Sequence, residues 1–236
     1  MSAPMSEKEK SMLEFEKRAG VTFSDRELLT TAFTHRSYIN ESSTGGEHNE
    51  RLEFLGDAVL EIVVTDHLFR TYREAPEGEL TAYRAALVNA TTLSNVAEEL
   101  GMNDCLLLSK GESKDTGRAR QGLLANAFEA VVGALYLDQG YAAAETFIAK
   151  NILSRTENII ASGSWKDAKS AFQEVAQAKH GATPRYELVS AEGPDHDKHF
   201  IIAVFVEQKE IARGEGSSKQ SAEQSAAEAA LKKEKK

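Results

Sequence analysis

Four acidic residues in an otherwise apolar stretch are the side chains of this 236-residue chain best placed to do chemistry. Glu50, Glu53, Asp57 and Glu61 follow one another at intervals of three or four, so on a helix they form one narrow stripe. Apolar residues cover much of the remaining circumference, which predicts a buried helix over residues 50–64. Clustered, partly buried carboxylates are tolerated when protons or a cation neutralise them. The stripe therefore predicts a metal site, with an ordinary solvated helix face as the alternative.

A second segment supplies residues to face this stripe. Residues 123–138, LLANAFEAVVGALYLD, are apolar around the helical wheel except at Asn126 and Glu129, which share one face because they are three apart. Burying Glu129 without a partner would be costly, and a cation shared with Glu53 and Asp57 would remove that cost. The candidate metal ligands are Glu53, Asn126 and Glu129. These oxygen donors favour a hard cation such as Mg²⁺, with Mn²⁺ as a possible substitute.

The charge balance limits how the chain can contact nucleic acid. The chain has 37 acidic and 28 basic residues, a net charge of −9. Through Lys166 the balance is 17 basic against 25 acidic residues, or −8, and beyond it 11 against 12, or −1. This argues against a protein that coats nucleic acid by bulk charge, so any RNA contact must be local.

Cysteine content and hydropathy indicate a cellular compartment. Cys105 is the single cysteine and permits no intramolecular disulfide. The N-terminal residues are too charged for the apolar region of a signal peptide, and no apolar run approaches the roughly 20 residues that span a bilayer. We therefore expect a cytoplasmic protein without a membrane partner.

The periodicity of the sequence changes near residue 162 and divides the chain. Before that point we expect helices, among them 11–19 after a frayed tail of about a dozen residues, 25–38, and 142–161. After it the order is αβββα, with strands near 186–189, 200–206 and 210–213. The predicted organisation is an all-α domain over residues 11–161, a linker over 162–166, and a small α+β domain over 167–236.

Several segments resemble known families. Residues 49–57, NERLEFLGD, match the signature of the ribonuclease III family residue for residue, and the THRSY sequence at 34–38 is similar to another of its elements. The 123–138 segment also resembles that family, which has aspartate at the position of Asn126 and glutamate at that of Glu129. The second domain, with its turn over residues 214–219, resembles the double-stranded RNA-binding domain.

The resemblance implies a metal-dependent endoribonuclease that cleaves double-stranded RNA. By position, Asp57 and Glu129 would be catalytic, and Glu50 and Glu77 would be supporting acids. For Glu77, an acid stabilised by a helix N-terminus is the alternative. The implied products carry 5′-phosphate and 3′-hydroxyl ends, and the implied substrates are ribosomal RNA precursors with some messenger and transfer RNA precursors. The family implies no small-molecule organic cofactor.

The same resemblance implies three RNA-contacting regions in the second domain. They are the first helix, the loop after the first strand, and the start of the last helix. The residues carried over are Gln173, Glu174, His196, Ser217, Ser218 and Lys219. The family usually has further Lys or Arg after Lys219, where this chain has Gln220 and Ser221, so we expect a weaker phosphate contact. The polar loop over residues 108–122 either touches phosphates through its four basic residues or is simply solvated.

The family resemblance also implies a homodimer, paired along the signature helix with Phe54 and Leu55 as the candidate seam. Two alternatives to a double-stranded RNA endonuclease stay open. One is a catalytically weak double-stranded RNA-binding protein, for which Asn126 is the only support. The other is an all-α nucleotide pyrophosphohydrolase, which leaves the second domain without a purpose.

Overall fold

The computed structural model describes residues 5–41, 46–163, 168–193 and 198–234. The chain divides into two compact units, Met1–Ser162 and Gly163–Lys236. Among the described residues, the regular secondary structure of the first unit is helical apart from an isolated bridge between Thr34 and Leu107, and that of the second combines two helices with one sheet. The predicted fold class, an all-α domain followed by a small αβββα domain, is confirmed.

The described part of the first unit contains nine α-helices. They are α1 (Glu7–Ala19), α2 (Arg26–Ala32), α3 (Arg36–Glu41), α4 (Glu50–Thr71), α5 (Glu77–Val88), α6 (Ala90–Glu99), α7 (Gly117–Gln139), α8 (Tyr141–Asn151) and α9 (Thr156–Ser162). Short 3₁₀ turns cover Met102–Cys105, Glu112–Lys114 and Leu153–Arg155. Within the described ranges, no helix is both long enough and apolar enough to cross a membrane.

The first helix begins earlier than predicted. The Ser6 hydroxyl accepts a hydrogen bond from the Glu9 backbone N–H at 3.2 Å, and the Glu9 carboxylate accepts one from the Ser6 N–H at 2.6 Å. This reciprocal cap starts α1 at Glu7, so the expected tail was wrong for residues 7–10. The helix ends at Ala19, as predicted, and is capped by Gly20, whose φ of +74° is in the left-handed region.

The chain after α1 is fastened to a distant part of the first unit. The Lys150 ammonium donates to the Ala19 carbonyl at 2.9 Å. The Asp138 carboxylate accepts from the backbone N–H groups of Ser24 and Asp25, both at 2.9 Å. The connection between α1 and α2 is therefore held by residues more than 100 positions later.

The segment predicted as one helix over 25–38 forms two helices. Asp25 caps α2, and the helix ends at Ala32. Beyond it, the Leu107 N–H donates to the Phe33 carbonyl at 2.9 Å, and the His35 N–H donates to the Leu107 carbonyl at 3.0 Å. These bonds to a distant extended segment replace helical bonds, so α3 starts anew at Arg36.

The helix predicted over 142–161 is also interrupted. The Asn151 side chain donates to the Phe147 carbonyl at 2.8 Å, and the Arg155 guanidinium donates to the Asn151 carbonyl at 2.9 Å. The Arg155 backbone N–H instead reaches the Ile152 carbonyl, which is 3₁₀ geometry. Side chains thus take the helical acceptors, and α8 ends at Asn151.

Helices α4 and α7 form the centre of the first unit. They have 22 and 23 residues and extend beyond the predicted ranges. Ten residues of α7 are buried, including Phe128, which stacks on Phe147 of α8 with ring centroids 5.5 Å apart. Because α7 begins at Gly117, Arg118 and Arg120 lie on a helix rather than in the predicted loop.

The second unit comprises α10 (Ala168–His180), β1 (Arg185–Glu192), β2 (His199–Val206), β3 (Lys209–Gly216) and α11 (Lys219–Glu234). The strands pair antiparallel in the order β1-β2-β3 and are longer than predicted. Phe172 of α10, Val204 of β2 and Ala226 of α11 are fully buried members of one hydrophobic core. The helices therefore cover one face of the sheet.

Candidate active site

Asn49 fixes the start of α4. It is 3% exposed, its N–H donates to the Thr34 carbonyl at 2.9 Å, and its side chain donates to the Ala32 carbonyl at 3.4 Å. Its own carbonyl accepts from the Glu53 N–H at 2.8 Å. Asn49 therefore holds the acidic helix against the turn after α2. Sequence reasoning gave it no role, because residues 32–34 and 49 become neighbours only on folding.

The acidic stripe of α4 has basic partners at its two ends. Glu50 lies 3.4 Å from the Arg36 guanidinium and 3.9 Å from the His48 ring, and Glu61 lies 3.6 Å from the Arg84 guanidinium. Among the described residues, Glu53 and Asp57 in the middle of the stripe form no ion pair. The described residues therefore leave the middle of the stripe without a basic partner.

Glu53 is half-buried and contacts α7 through Asn126. Burial raises the pKa of the Glu53 carboxyl, the charge of Glu50 raises it further, and the hydrogen bond from the Asn126 amide acts in the opposite direction. The negative charge of Asp57 is a further cause that raises this pKa. The structure thus brings together Glu53 and Asn126, as predicted from their separate helices.

Glu129 is the most perturbed acid of this group. Its burial raises the pKa of the carboxyl to about 7, with smaller contributions from the negative charges of Asp57 and Glu53. Asp57 itself is exposed to solvent, as is Asn126. We call Glu53, Asp57, Asn126 and Glu129 the acidic cluster. The acidic cluster contains three carboxyl groups, none of which forms an ion pair with a described residue.

The acidic cluster offers oxygen donors that match a hard divalent cation in type. Within the described ranges, no three His, Cys, Asp or Glu side chains are gathered closely enough to form a metal-binding group. One of the four members of the cluster is an amide, and the pKa of both half-buried glutamates is raised in part by like charge. The side chains of the acidic cluster therefore do not form a closed ligand shell. Their negative charges repel one another, and one hydrogen bond joins Asn126 to Glu53.

Glu77 does not join the acidic cluster within one chain. It is the first residue of α5, accepts a hydrogen bond from the Thr81 hydroxyl at 3.1 Å, and lines a pocket with Thr65 and Phe69 of α4. Thr65 is eight residues beyond Asp57, the member of the acidic cluster nearest to it along α4, or about 12 Å along the helix axis. The expected approach of Glu77 to the metal ligands is therefore not made inside a single chain.

The candidate seam residues lie on an exposed face of α4. Phe54 is 81% exposed, and Leu55 is partly buried. Ile62 and Phe69 continue this face and are 54% and 70% exposed. These four residues, the apolar α4 face, lie beside the acidic stripe rather than on it.

The predicted RNA-contacting residues fall on two surfaces of the second unit. Gln173 and Glu174 are exposed on α10, and Ser217, Ser218 and Lys219 are exposed where β3 leads into α11. His196 lies outside the described residues.

The start of α11 is capped by its own serines. The Ser221 N–H donates to the Ser218 hydroxyl at 3.1 Å, and the Ser218 N–H donates to the Ser221 hydroxyl at 3.0 Å. Two backbone donors at the helix start are therefore already engaged within the chain, which is a second reason to expect a weak phosphate contact.

Comparison with known proteins assigns the first unit. Residues 25–156 match the family model described as Ribonuclease-III-like. A Ribonuclease 3 of Borreliella afzelii is 42% identical over 227 residues, which cover 96% of this chain and 93% of the relative. This chain belongs to the ribonuclease III family.

Further relatives of this ribonuclease III agree in sequence and structure. A Ribonuclease 3 of Oleidesulfovibrio alaskensis is 46% identical over 209 residues, 89% of this chain and 91% of the relative. The crystal structure of the nuclease domain of Ribonuclease III from Campylobacter jejuni superposes with a TM-score of 0.55 at 36% identity. The superposed region covers 61% of this chain and 94% of the Campylobacter jejuni structure. Residues 168–234 match the double-stranded RNA binding motif. The predicted family is confirmed, and a pyrophosphohydrolase has no support.

Proposed function

We propose that this ribonuclease III cuts double-stranded RNA at the acidic cluster between α4 and α7. The chain is an endoribonuclease that acts on double-stranded RNA, because its sequence matches Ribonuclease 3 relatives over nearly its whole length and carries both of the expected domains. The observation that carries the assignment of the site is Glu129, a half-buried carboxyl with a pKa near 7 among like charges. Perturbed acids of this kind cluster at functional sites.

A divalent cation fits the needs of this cluster. Glu53 and Glu129 offer carboxylate oxygens and Asn126 an amide oxygen, a donor set that suits Mg²⁺, with Mn²⁺ as a substitute. The described residues place no cationic side chain against Glu53, Asp57 or Glu129, so a bound cation would relieve their repulsion. Such an ion supplies the positive charge that lowers the pKa of a bound water and stabilises charge on the phosphate.

The side chains of the cluster have separable roles in hydrolysis. Asp57 is exposed and orients the attacking water at its carboxylate. Glu129 would hold the cation through its carboxylate oxygens, together with Glu53 and Asn126. Attack on phosphorus displaces the 3′ oxygen, so the products end in 5′-phosphate and 3′-hydroxyl groups. Glu50 supports the cluster through its charge on Glu53.

The second unit supplies most of the affinity for duplex RNA. Gln173 and Glu174 on α10 contact the minor groove, and the start of α11 contacts phosphate through Ser217, Ser218 and Lys219. His196, outside the described residues, is assigned the second minor-groove contact on the family resemblance alone. Recognition is of the A-form shape, so it is largely independent of sequence.

The active form is a homodimer that pairs along the apolar α4 face. Large side chains exposed in a row mark protein contacts, and an isologous pairing would bury Phe54 and Leu55 on both copies. A solved structure of the Campylobacter jejuni nuclease domain concerns flexibility in a region involved in dimer formation, with a TM-score of 0.53 at 38% identity. Glu77 would then support the metal site from the other copy, since it does not reach the cluster of its own chain.

The cellular role follows from the class of substrate. We assign this protein to the cytoplasm, where it would process ribosomal RNA precursors and some messenger and transfer RNA precursors. Each of these folds back into duplex segments of the kind the second unit recognises.

An end-labelled RNA duplex tests this function. We expect cleavage with Mg²⁺ or Mn²⁺, 5′-phosphate ends on the products, and no cleavage with Ca²⁺ or EDTA. Glu129→Gln should bind the duplex with unchanged affinity but cut it at least 100-fold more slowly, because the second unit is intact. Binding without cleavage by the wild-type protein in every metal would instead support the catalytically weak RNA-binding protein, in which Asn126 has cost the site its activity.

A further inference from the structure

Helices α4 and α7 meet at two glycines without side chains between their backbones. A Cβ atom added to Gly56 would lie 1.8 Å from the carbonyl oxygen of Glu129. One added to Gly133 would lie 2.2 Å from the carbonyl oxygen of Leu52 and 3.0 Å from the nitrogen of Gly56. Ordinary contacts of a Cβ atom begin near 3.4 Å. Neither position can hold a larger residue unless one helix backbone moves away.

This contact lies directly beside the acidic cluster. Gly56 immediately precedes Asp57 and follows Glu53 by three residues, and Gly133 follows Glu129 by four. One turn of helix therefore separates each glycine from a carboxylate on its own helix. The atom that Gly56 approaches is the backbone oxygen of Glu129 itself.

We propose that Gly56 and Gly133 are positioning residues of the active site. Their backbone contact fixes the distance between the carboxylates of α4 and those of α7, and thereby the size of the cation site. Mg²⁺ tolerates little departure from ligand distances of about 2.0–2.1 Å, so a fixed spacing of the two helices is what an Mg²⁺ site needs. This proposal rests on the metal site proposed above.

A role in packing alone makes a different prediction. Glycines at a helix crossing let the helices approach closely and gain dispersion energy, so a substitution would lower stability whatever the helices carry. The positioning role adds a separate effect on metal affinity. The midpoint of unfolding and the half-saturating concentration of Mg²⁺ therefore have to be measured on the same variants.

Gly133→Ala is the primary variant, and Gly122→Ala is its matched control. Both positions are glycines of α7, but a Cβ atom at Gly122 would meet no atom within 4 Å. A methyl group at Gly133 falls about 1.2 Å short of an ordinary contact, so the helices must separate by a distance of that order. We expect Gly133→Ala to raise the half-saturating Mg²⁺ concentration at least tenfold. Gly122→Ala should leave it within twofold.

The readout is the thermal midpoint of the RNA-free protein during titration with Mg²⁺, with duplex binding as a check on the second unit. A Gly133→Ala protein that is less stable but has wild-type Mg²⁺ half-saturation would overturn the positioning role while leaving the metal site in place. A wild-type midpoint that does not respond to Mg²⁺ would overturn the metal site and this inference with it.

Glu53→Asp tests the same idea without disturbing the helix crossing, and it carries the test if Gly133→Ala does not fold. The variant keeps the charge and withdraws the carboxylate by one methylene. A fixed crossing cannot follow that withdrawal, so the half-saturating Mg²⁺ concentration should rise at least tenfold. A value within twofold of wild type would mean that the helices adjust to their ligands, and the inference would be wrong.

Discussion

Glu129→Gln should make the metal-free protein more stable at alkaline pH while removing its activity. Burial raises the pKa of Glu129 to about 7, against 4.5 for an ordinary glutamate. Between these two values the folded state holds a proton that the unfolded state has released. The stability from this group is therefore complete below pH 4.5 and is lost as the pH rises through 7. Glutamine cannot ionise, so the variant avoids the loss.

The difference between the two pKa values corresponds to about 3 kcal/mol of unfolding free energy as an upper limit. Glu129 is partly open to solvent, so screening reduces the effect to roughly 1–3 kcal/mol. For a unit of this size each kcal/mol moves the thermal midpoint by about 2–4 °C, so Glu129→Gln should melt about 2–12 °C higher at pH 8.5 in EDTA. At pH 4.5 the two proteins should melt within about 1 °C of each other by the same linkage.

Calorimetry or circular dichroism at pH 4.5, 6, 7 and 8.5 measures this difference. Glu98→Gln is the matched control, because it makes the same change at an exposed helical position outside the acidic cluster. Addition of Mg²⁺ at pH 8.5 should raise the wild-type midpoint and leave Glu129→Gln unchanged. Melting curves of wild type and Glu129→Gln that coincide at every pH in EDTA would refute the assignment of an ionised, repelled Glu129.

Three further perturbations test the rest of the site. Asn126→Asp replaces the amide that donates to Glu53 with a fourth carboxylate. It should lower the Mg²⁺ concentration for half-maximal cleavage about tenfold, or about 1.4 kcal/mol, and lower the midpoint of thermal unfolding in EDTA. Superimposed metal titrations of the variant and wild type would mean that position 126 is not a charge-sensitive ligand. Deleting the chain beyond Ser164 should weaken duplex binding strongly yet leave some cleavage at low salt, with activity lost earlier as salt rises; a folded but wholly inactive fragment at low salt would contradict this. Phe54→Asp should convert a dimeric mass in light scattering to a monomeric one at micromolar concentration, and a wild-type protein that is already monomeric would contradict the pairing.

Sequence periodicity predicted that the helix of Asn126 and Glu129 would face Glu53 and Asp57, because both helices are apolar around most of their circumference. A carboxylate on such a helix has few solvated positions to occupy, so the acids of two central helices had to meet. Periodicity could not show which acids of the α4 stripe belong to the acidic cluster. Glu61 pairs with Arg84 on α5, 3.6 Å away, rather than with the acidic cluster. This contact depends on how α5 packs against α4.

Other features required tertiary information. The break between α2 and α3 depends on Leu107, about 75 residues downstream of Ala32, and the break after Asn151 depends on side chains that compete for helical acceptors. Local helix propensity predicts neither of these two breaks. Gly133 looks like any small residue in an apolar segment until the backbone of Leu52 is placed against it. Glu77 was expected near the metal ligands, and only the course of α5 puts it elsewhere.

The hydrogen bonds that tie Ser24 and Asp25 to Asp138, and Ala19 to Lys150, have a consequence for synthesis. A growing chain presents α1 and α2 first, but their acceptors and donors leave the ribosome only after more than 100 further residues have been added. Until then both helices lack the partners that hold them, and short isolated helices are marginal in water. The N-terminal segment therefore gains these contacts only after the end of its own domain has been made. Because Glu129 also lies in that late segment, the nascent chain has no complete acidic cluster while most of the first unit is still being made.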